Sequence, residues 1–285
     1  KENNNTIVLE TSVMALSEVN VIVPKNAEEL VRETFDKKGE NYFEDPTLMT
    51  AFYRETIKKR RKNVSLSEAV VNIHKTPYSN KQVDKIELYK ARKSTDYGKL
   101  DTLALKLQGG PFNALYVDIM KYPEYIFTNE TIGWYNYTFE RSARINDKLD
   151  AENKILTSAV YSLNITDKDL AAQMFVKKKP AKANVYPTEV AYRVDYREKD
   201  NKWYYGYSNV LMEFKINWDD KLFNSVYSMT CEMAVTDWEK NLSSNLKGKE
   251  KLRRNIILSD EAIGFSDPNF WGEYNIIEPE KSIES

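Results

Sequence analysis

The sequence contains one cysteine, Cys231, and one histidine, His74. No intramolecular disulfide can form, and a zinc site built from several Cys or His side chains lacks its ligands. Histidine-centred acid–base catalysis and Cys–His nucleophiles are excluded for the same reason. We therefore predict no catalytic residue, no metal site and no cofactor, and the composition favours a non-enzymatic protein. We expect Cys231 to be a core thiol and His74 to lie at a partly exposed strand end.

A long apolar run and an excess of one charge are also lacking. No stretch approaches the roughly 20 apolar residues of a membrane-spanning helix, so we predict no transmembrane span. Lys and Arg number 42 against 43 Asp and Glu, a formal net charge of −1. Such a chain has no global field that attracts nucleic acid, which is therefore not an expected partner.

Aromatic residues, by contrast, are abundant: 19 Tyr, 11 Phe and 5 Trp against 9 Gly and 9 Pro. Aromatic and β-branched residues favour half-buried strands, and they dominate the sequence from residue 131 onward. Residues 210–218 alternate apolar and polar side chains, which predicts a strand with one core face. The polar EKDNK at 198–202 is typical of a hairpin turn before it.

Helical spacing follows Asn26, where apolar residues recur three and four positions apart. Asn26 and Glu29 form a capping box, and Gly39 stands where this helix is expected to end. A second short helix is predicted at 166–175, capped by Thr166. The sequence therefore supplies a few helices beside its many strands.

The stretch LKLQGGPFNALYVDIM contains the only Gly-Gly-Pro of the chain, at 109–111. Residues 112–120 again show helical spacing, and Pro at the first helical position after a glycine is a common helix start. The spacings of a phosphate loop and of a dinucleotide fingerprint are not present. We interpret Gly109-Gly110-Pro111 as a helix start and not as a phosphate site.

The segment 47–77 has two interpretations, because its first half could form a basic helix while its second half is strand-like. The β-branched VVNI and the flanking prolines favour a hairpin that pairs Met49–Lys58 with Val64–His74 around the turn Lys59–Asn63. We interpret the basic run KKRRK as a solvated turn, with an anion-binding patch as the alternative. The order of strands and helices predicts an α+β fold in which a large curved antiparallel sheet packs on a few helices.

Candidate ligand-binding residues come from the aromatic set. In KWYYGY, 202–207, a regular strand would place Trp203, Tyr205 and Tyr207 on one face and Tyr204 on the other. Such a row could stack on sugar rings or line an apolar groove, and ordinary cross-strand packing is the alternative. Two tryptophans next to glycines have the same two interpretations. The candidates are Trp134, Trp203, Tyr205, Tyr207 and Trp271.

Four long blocks resemble one family: TAFYRETIKKRRKNVSLSEAVVNIHKTPY, KLDTLALKLQGGPFNALYVDI, YPTEVAYRVDYR and GFSDPNFWGEYNIIEPEKSIES. Similar blocks are found in envelope proteins of Gram-negative gut bacteria that are named for an N-terminal carboxypeptidase-like regulatory domain, a family without an established activity. The resemblance implies a location in the periplasm or at the outer membrane. It also implies another strand and hairpin near Lys148–Asp150, where this chain departs from its relatives.

The same resemblance implies three parts. Residues 1–23 would be a linker and the remnant strand of a regulatory β-sandwich, 24–258 the main α+β domain, and 259–285 an extended segment packed on it. The order of helix, hairpin and later strands also resembles the half-barrel of periplasmic lipoprotein carriers, whose curved sheet leaves an apolar cavity.

These resemblances imply a non-enzymatic envelope protein that binds an apolar or amphipathic ligand, such as a lipid, or an outer-membrane protein partner. Two alternatives stay open. A carboxylate-based hydrolase acting on carbohydrate or peptide would use two of the many Asp and Glu residues, although no pair stands out. A purely structural module tethered to a TonB-dependent transport system would need no ligand.

Overall fold

The computed structural model describes the greater part of the chain. The described residues are 26–95, 108–125, 127–128, 130–138, 144–145, 148–149, 154–164, 183–218, 224–240, 251–264 and 270–272. The strand predicted before residue 24 and the helix predicted at 166–175 lie outside these residues, as does most of the C-terminal segment. The division of the chain at residues 23 and 258 therefore stays a prediction.

Helices are the minor part of the described residues. Within them the α-helices are α1 (Ala27–Asp36), α2 (Lys38–Asn41), α3 (Pro111–Leu115) and α4 (Leu258–Glu261), and single 3₁₀ turns lie at Pro123–Tyr125 and Ile132–Trp134. Among the described residues, no helix has the length and hydropathy that crossing a bilayer requires.

The start of α1 is confirmed, because the Asn26 side-chain oxygen accepts hydrogen bonds from the Glu28 and Glu29 amides at 3.0 and 3.4 Å. Its predicted end at Gly39 is wrong. The Lys37 amide bonds to the Glu33 carbonyl and closes α1, so Gly39 lies inside the short α2 that follows.

The start of α3 is also confirmed, with Pro111 in its first turn and Gly110 before it at φ 51°, a conformation that favours glycine. The helix ends at Leu115, short of the predicted 120. Beyond it the chain continues as hydrogen-bonded turns, in which the Tyr122 amide bonds to the Asp118 carbonyl. These turns bring the Asp118 side chain to the end of the sheet.

One large antiparallel sheet forms the body of the molecule, as predicted. The strands are β1 (Thr47–Lys59), β2 (Lys62–Lys75), β3 (Lys85–Thr95), β4 (Arg144–Ile145), β5 (Lys148–Leu149), β6 (Ser158–Asn164), β7 (Ala183–Lys199), β8 (Lys202–Trp218), β9 (Ser225–Lys240) and β10 (Ile263–Gly264). Seven of them lie in the order β3-β2-β1-β9-β8-β7-β6, each antiparallel to its neighbours, and the short β10 adds to β3 in parallel. Strands β4 and β5 form a separate pair.

Both predicted hairpins are present. Strands β1 and β2 pair from Thr47↔Lys75 to Lys59↔Lys62, so the basic run forms a tight turn. Strands β7 and β8 are joined at Asp200 and Asn201, which both have positive φ, as a two-residue hairpin turn of right-handed twist requires. These turns build two meanders, β1–β3 and β6–β9, and the pairing of β1 with β9 joins them into one sheet.

The main core lies on the sheet face that we call the inner face. It carries Tyr53, Met233 and Ser208, which are neighbours across β1, β9 and β8. The Ser208 hydroxyl donates a hydrogen bond to the Ala114 carbonyl at 2.8 Å, so α3 packs against this face. Side chains at alternate positions point to the opposite side, the outer face.

The inner face carries a second apolar cluster toward the β1–β2 turn. Its buried members are Ile57, Val64, Phe214, Ile216, Tyr227 and Met229. The predicted alternation of β8 is confirmed there, because Phe214 and Ile216 are buried while Glu213 and Lys215 on the opposite face are half-buried.

Candidate functional site

A groove of about 560 Å³ opens where β2 ends and the chain turns back into β3. Its walls combine apolar and cationic side chains. The apolar ones are Pro46, Pro77 and Val83, and the basic ones are His74, Lys75, Lys81 and Lys85. The other lining residues that the structure describes are Thr, Asn and Gln, with no Asp or Glu among them.

The floor of this groove is an ion network around Lys75, whose side chain is 2% exposed. The Lys75 ammonium lies 2.6 Å from an Asp84 carboxylate oxygen and 2.7 Å from one of Asp118. The phenols of Tyr78 and Tyr196 donate to the two Asp118 oxygens at 3.1 and 2.8 Å. The network therefore fixes the end of β2 to β7 and to the turns that follow α3.

The charges of this network are stable near neutral pH. Burial disfavours the Lys75 ammonium, but the carboxylates of Asp118 and Asp84 outweigh this effect and raise the Lys75 pKa. Burial also raises the pKa of Tyr78 and Tyr196 well above the ordinary value, so both phenols keep their protons. We interpret the network as a rigid floor in which the Lys75 ammonium and the two phenols keep their protons near neutral pH.

Lysine side chains also lie at the rim. Lys85 is the register partner of His74, and the Leu252 amide bonds to the Ile86 carbonyl at 2.8 Å, which places Lys251 beside the start of β3. The Lys85 pKa is lowered, chiefly by the ammonium of Lys251. Burial lowers the pKa of His74, whose Nε2 is 3.7 Å from a Glu87 oxygen. Lys85 and Lys251 therefore place two lysines beside one glutamate, Glu87, at the rim.

A second ion cluster lies on the outer face. One Glu68 oxygen accepts hydrogen bonds from Nε and Nη2 of Arg54, and the other accepts from the same two atoms of Arg92, at 2.7 to 2.8 Å. Trp271 covers the cluster, because its ring centroid is 4.9 Å from the Arg92 guanidinium carbon and 5.3 Å from the Phe52 ring. Each arginine therefore directs two N–H groups at one Glu68 oxygen, and these charge-assisted hydrogen bonds join β1, β2 and β3.

Glu55 is a buried acid on the inner face. Within the described residues it forms no salt bridge with an arginine or a lysine. Glu55 accepts a hydrogen bond from the Tyr53 phenol at 3.0 Å, and burial raises its pKa to about 7. Its neighbour Cys231 is buried, which raises the thiol pKa to about 12 and confirms the prediction of a core thiol. A thiol with so high a pKa is a poor nucleophile.

The structure does not bring the predicted aromatic candidates together. Trp134 is 57% exposed in its 3₁₀ turn, whereas Trp203 and Tyr205 are buried in the main core. Tyr207 donates to Glu232 at 2.7 Å on the outer face, and Trp271 covers the arginine cluster there. Their ligand-binding role stays a prediction.

The predicted common face of Trp203, Tyr205 and Tyr207 is wrong because of a β-bulge. Tyr207 pairs with Asp195 and Tyr205 pairs with the next residue, Tyr196, so Gly206 is an extra residue in β8. Asp195 and Tyr196 are consecutive residues of β7, so their side chains lie on opposite faces of the sheet. Their partners therefore also lie on opposite faces, Tyr205 on the inner face and Tyr207 on the outer face. Tyr204, expected opposite Trp203, is buried in the same core and stacks on Phe43 at 5.4 Å.

Sequence reasoning missed Lys75 and its partners. A signal was present, because Val71, Ile73 and Lys75 occupy alternate positions of one strand, which places a lysine in the series of core-facing residues. A lysine there requires buried carboxylates. Asp84 and Asp118 could not be chosen from the many acids of the chain without the fold.

Comparisons with known proteins add little. No protein-family model and no curated protein sequence matches the chain. A lipovitellin structure that concerns lipid–protein interactions is similar over 72% of this chain, with 7% identity and a TM-score of 0.33, and this chain covers 26% of that one. A proposed oleoyl thioesterase from Lactobacillus plantarum is similar over 73% of this chain and 84% of its own, with 9% identity and a TM-score of 0.11. At these TM-scores neither likeness supports a conclusion about this chain.

Proposed function

We propose that this chain is a non-enzymatic envelope protein that binds an amphipathic ligand in the groove at the end of β2. The observation that carries the proposal is the composition of the groove walls, where Val83, Pro46 and Pro77 face the same space as Lys81 and Lys85. An amphipathic molecule needs apolar contacts and a few placed polar groups within one concave site. A space of about 560 Å³ accommodates the head of such a molecule and the first part of its chain.

The floor of the groove favours binding because it is already ordered. Lys75 is held by two carboxylates, and Thr76 donates its amide hydrogen to Asp84 at 2.7 Å. Lys121 donates to the carbonyls of Pro77 and Asn80 and fixes the turn that forms one wall. A ligand would therefore lose little affinity to ordering of the site.

The cellular setting of the proposal comes from the sequence blocks that resemble envelope proteins. It places the protein in the periplasm or at the outer membrane, with an outer-membrane protein as the alternative partner of the groove. In this proposal the antiparallel sheet curves as in the half-barrel of lipoprotein carriers. No observation among the described residues specifically favours the hydrolase or the structural module.

Native mass spectrometry of the purified chain, followed by organic extraction, tests the proposal. We expect a co-purified amphiphile, or binding of a short-chain lipid when one is added. Val83→Glu places a charge on the apolar wall, where Val83 is 38% exposed, and should abolish binding. Val160→Glu is the matched control, because Val160 is 74% exposed on β6, the opposite edge of the sheet. An apo mass with no uptake of added lipid, or equal binding by both variants, would contradict the proposal.

A further inference from the structure

Two lysines of like charge lie side by side at the rim of the groove. Glu87 and Lys251 form an isolated antiparallel β-bridge, and the Leu252 amide donates a backbone hydrogen bond to the Ile86 carbonyl. These two backbone contacts place Lys251 alongside the first residues of β3. Lys85 is the first residue of that strand and lines the groove. The charge of Lys251 is the largest cause of the lowered Lys85 pKa, as expected when two ammonium groups are close.

The charges around this pair do not neutralise it. Within the described part of the chain, neither Lys85 nor Lys251 has a carboxylate oxygen within 4.0 Å. Glu87 is close in the sheet, but its oxygen lies 3.7 Å from His74 Nε2. The carboxylates of Asp84 and Asp118 are directed at Lys75. Lys85 therefore lines the groove with Lys251 next to it, and the two half-buried lysines leave an excess of positive charge at the rim.

We propose that Lys85 and Lys251 bind the anionic headgroup, a phosphate or a carboxylate, of the amphipathic ligand, an inference that rests on the proposed function of the groove. Each ammonium offers up to three hydrogen-bond donors, and an anion between them removes their mutual repulsion. Val83 and Pro46 then contact the apolar part that follows the headgroup. Lys81 supplies a further positive charge on the groove wall.

Isothermal titration calorimetry of the full chain distinguishes the contributions of headgroup and tail. The probes are dihexanoylphosphatidylglycerol and dihexanoylphosphatidylcholine, both below their micelle concentrations, and inorganic phosphate. The two lipids share acyl chains and phosphate, but only the first has a net charge. We expect the anionic lipid to bind about tenfold more tightly than the zwitterionic one, and this preference to decrease as salt is added.

Charge variants locate the site. Lys85→Gln and Lys251→Gln should each weaken binding of the anionic lipid about fivefold, and Glu87→Gln should strengthen it, because a negative charge leaves the rim. Lys215→Gln on β8 removes the same charge far from the groove and should leave the affinity unchanged. Thermal melts of each variant check that it folds.

The possible results separate the two proposals. Equal binding of both lipids would overturn the anion site and leave the amphipathic ligand intact. Binding of inorganic phosphate that depends on Lys85, without binding of either lipid, would assign the pair to a free anion and overturn the headgroup proposal together with the proposed function. Binding of none of the three probes would overturn both.

Discussion

The phenol of Tyr196 donates a hydrogen bond of 2.8 Å to Asp118, 78 residues earlier in the chain. Asp118 also receives the Lys75 ammonium at 2.7 Å, so one carboxylate links β7, β2 and the turns after α3. Because these groups are buried, removal of one of them leaves the others as buried charges or hydroxyls that have lost a partner. The floor of the proposed ligand groove depends on this carboxylate.

Asp118→Asn should therefore destabilise the protein strongly. The amide keeps one acceptor oxygen, but its NH₂ group replaces the other. A donor among Lys75, Tyr78 and Tyr196 would then face another donor. We expect the free energy of unfolding to fall by about 3 kcal/mol, measured by urea denaturation. Asp45→Asn is the control, because its partner Lys240 is fully exposed and no measurable change is expected. Equal stability of the two variants would show that the network does not stabilise the fold.

Glu68→Gln tests the cluster on the outer face. A neutral amide cannot satisfy both arginine forks, so Arg54 and Arg92 would keep buried charges without a carboxylate between them. We expect a loss of about 3 kcal/mol in unfolding free energy by chemical denaturation. Glu28→Gln removes an exposed pair with Arg32 on α1 and should cost less than about 0.5 kcal/mol. A wild-type midpoint for the Glu68 variant would contradict this account.

Glu55 should make stability depend on pH between its two pKa values. Its pKa is 4.5 as an ordinary glutamate and about 7 in the fold, so the folded protein keeps a proton that the unfolded chain releases. The contribution of Glu55 to stability is therefore largest below pH 4.5 and is lost as the pH rises to about 7. The shift corresponds to a loss of about 3 kcal/mol above this window.

Glu55→Gln removes this titration and keeps an acceptor for the Tyr53 phenol. The variant should gain about 3 kcal/mol relative to the wild type between pH 4 and pH 8, in denaturation curves recorded across that range. Because only the difference between the two proteins is compared, other titrating groups cancel. Parallel pH profiles would show that Glu55 is not held in its neutral form.

Gly206→Ala tests the bulge that separates Tyr205 from Tyr207. A Cβ at Gly206 would lie 2.7 Å from Arg197 Cγ, so the Arg197 side chain or the strand must shift. We expect a cost of about 1–3 kcal/mol in thermal or chemical unfolding. Gly133→Ala is the matched control, since nothing lies within 4 Å of the added atom. An unchanged free energy of unfolding for Gly206→Ala would indicate that the bulge accommodates the added Cβ without strain.

Local signals predicted the local structure. The cap at Asn26, the start of α3 after Gly110 and both hairpin turns depend on residues close together in sequence. The Gly206 bulge was not predictable, because its position is defined by the register of β8 against β7, and the side chain that would meet a Cβ there, Arg197, belongs to that neighbouring strand. The aromatic content indicated strands and burial, but an aromatic side chain serves a core and a binding site equally well, so it did not locate the groove.

The joining of the two meanders by β1 and β9 has a consequence for how the chain folds. The Thr236 hydroxyl donates to the Thr50 carbonyl across 186 residues of sequence, whereas the β1–β2 and β7–β8 hairpins close through tight turns. Contacts of such separation form late and slow the search for the native state. We expect both meanders to form early and their docking to limit the folding rate. Asn201→Ala weakens a turn that is already formed at this step and Thr236→Val weakens the docking contact, so both variants should refold more slowly in stopped-flow fluorescence. In kinetic terms, the sheet is two small folding units whose strands meet at the β1–β9 pair.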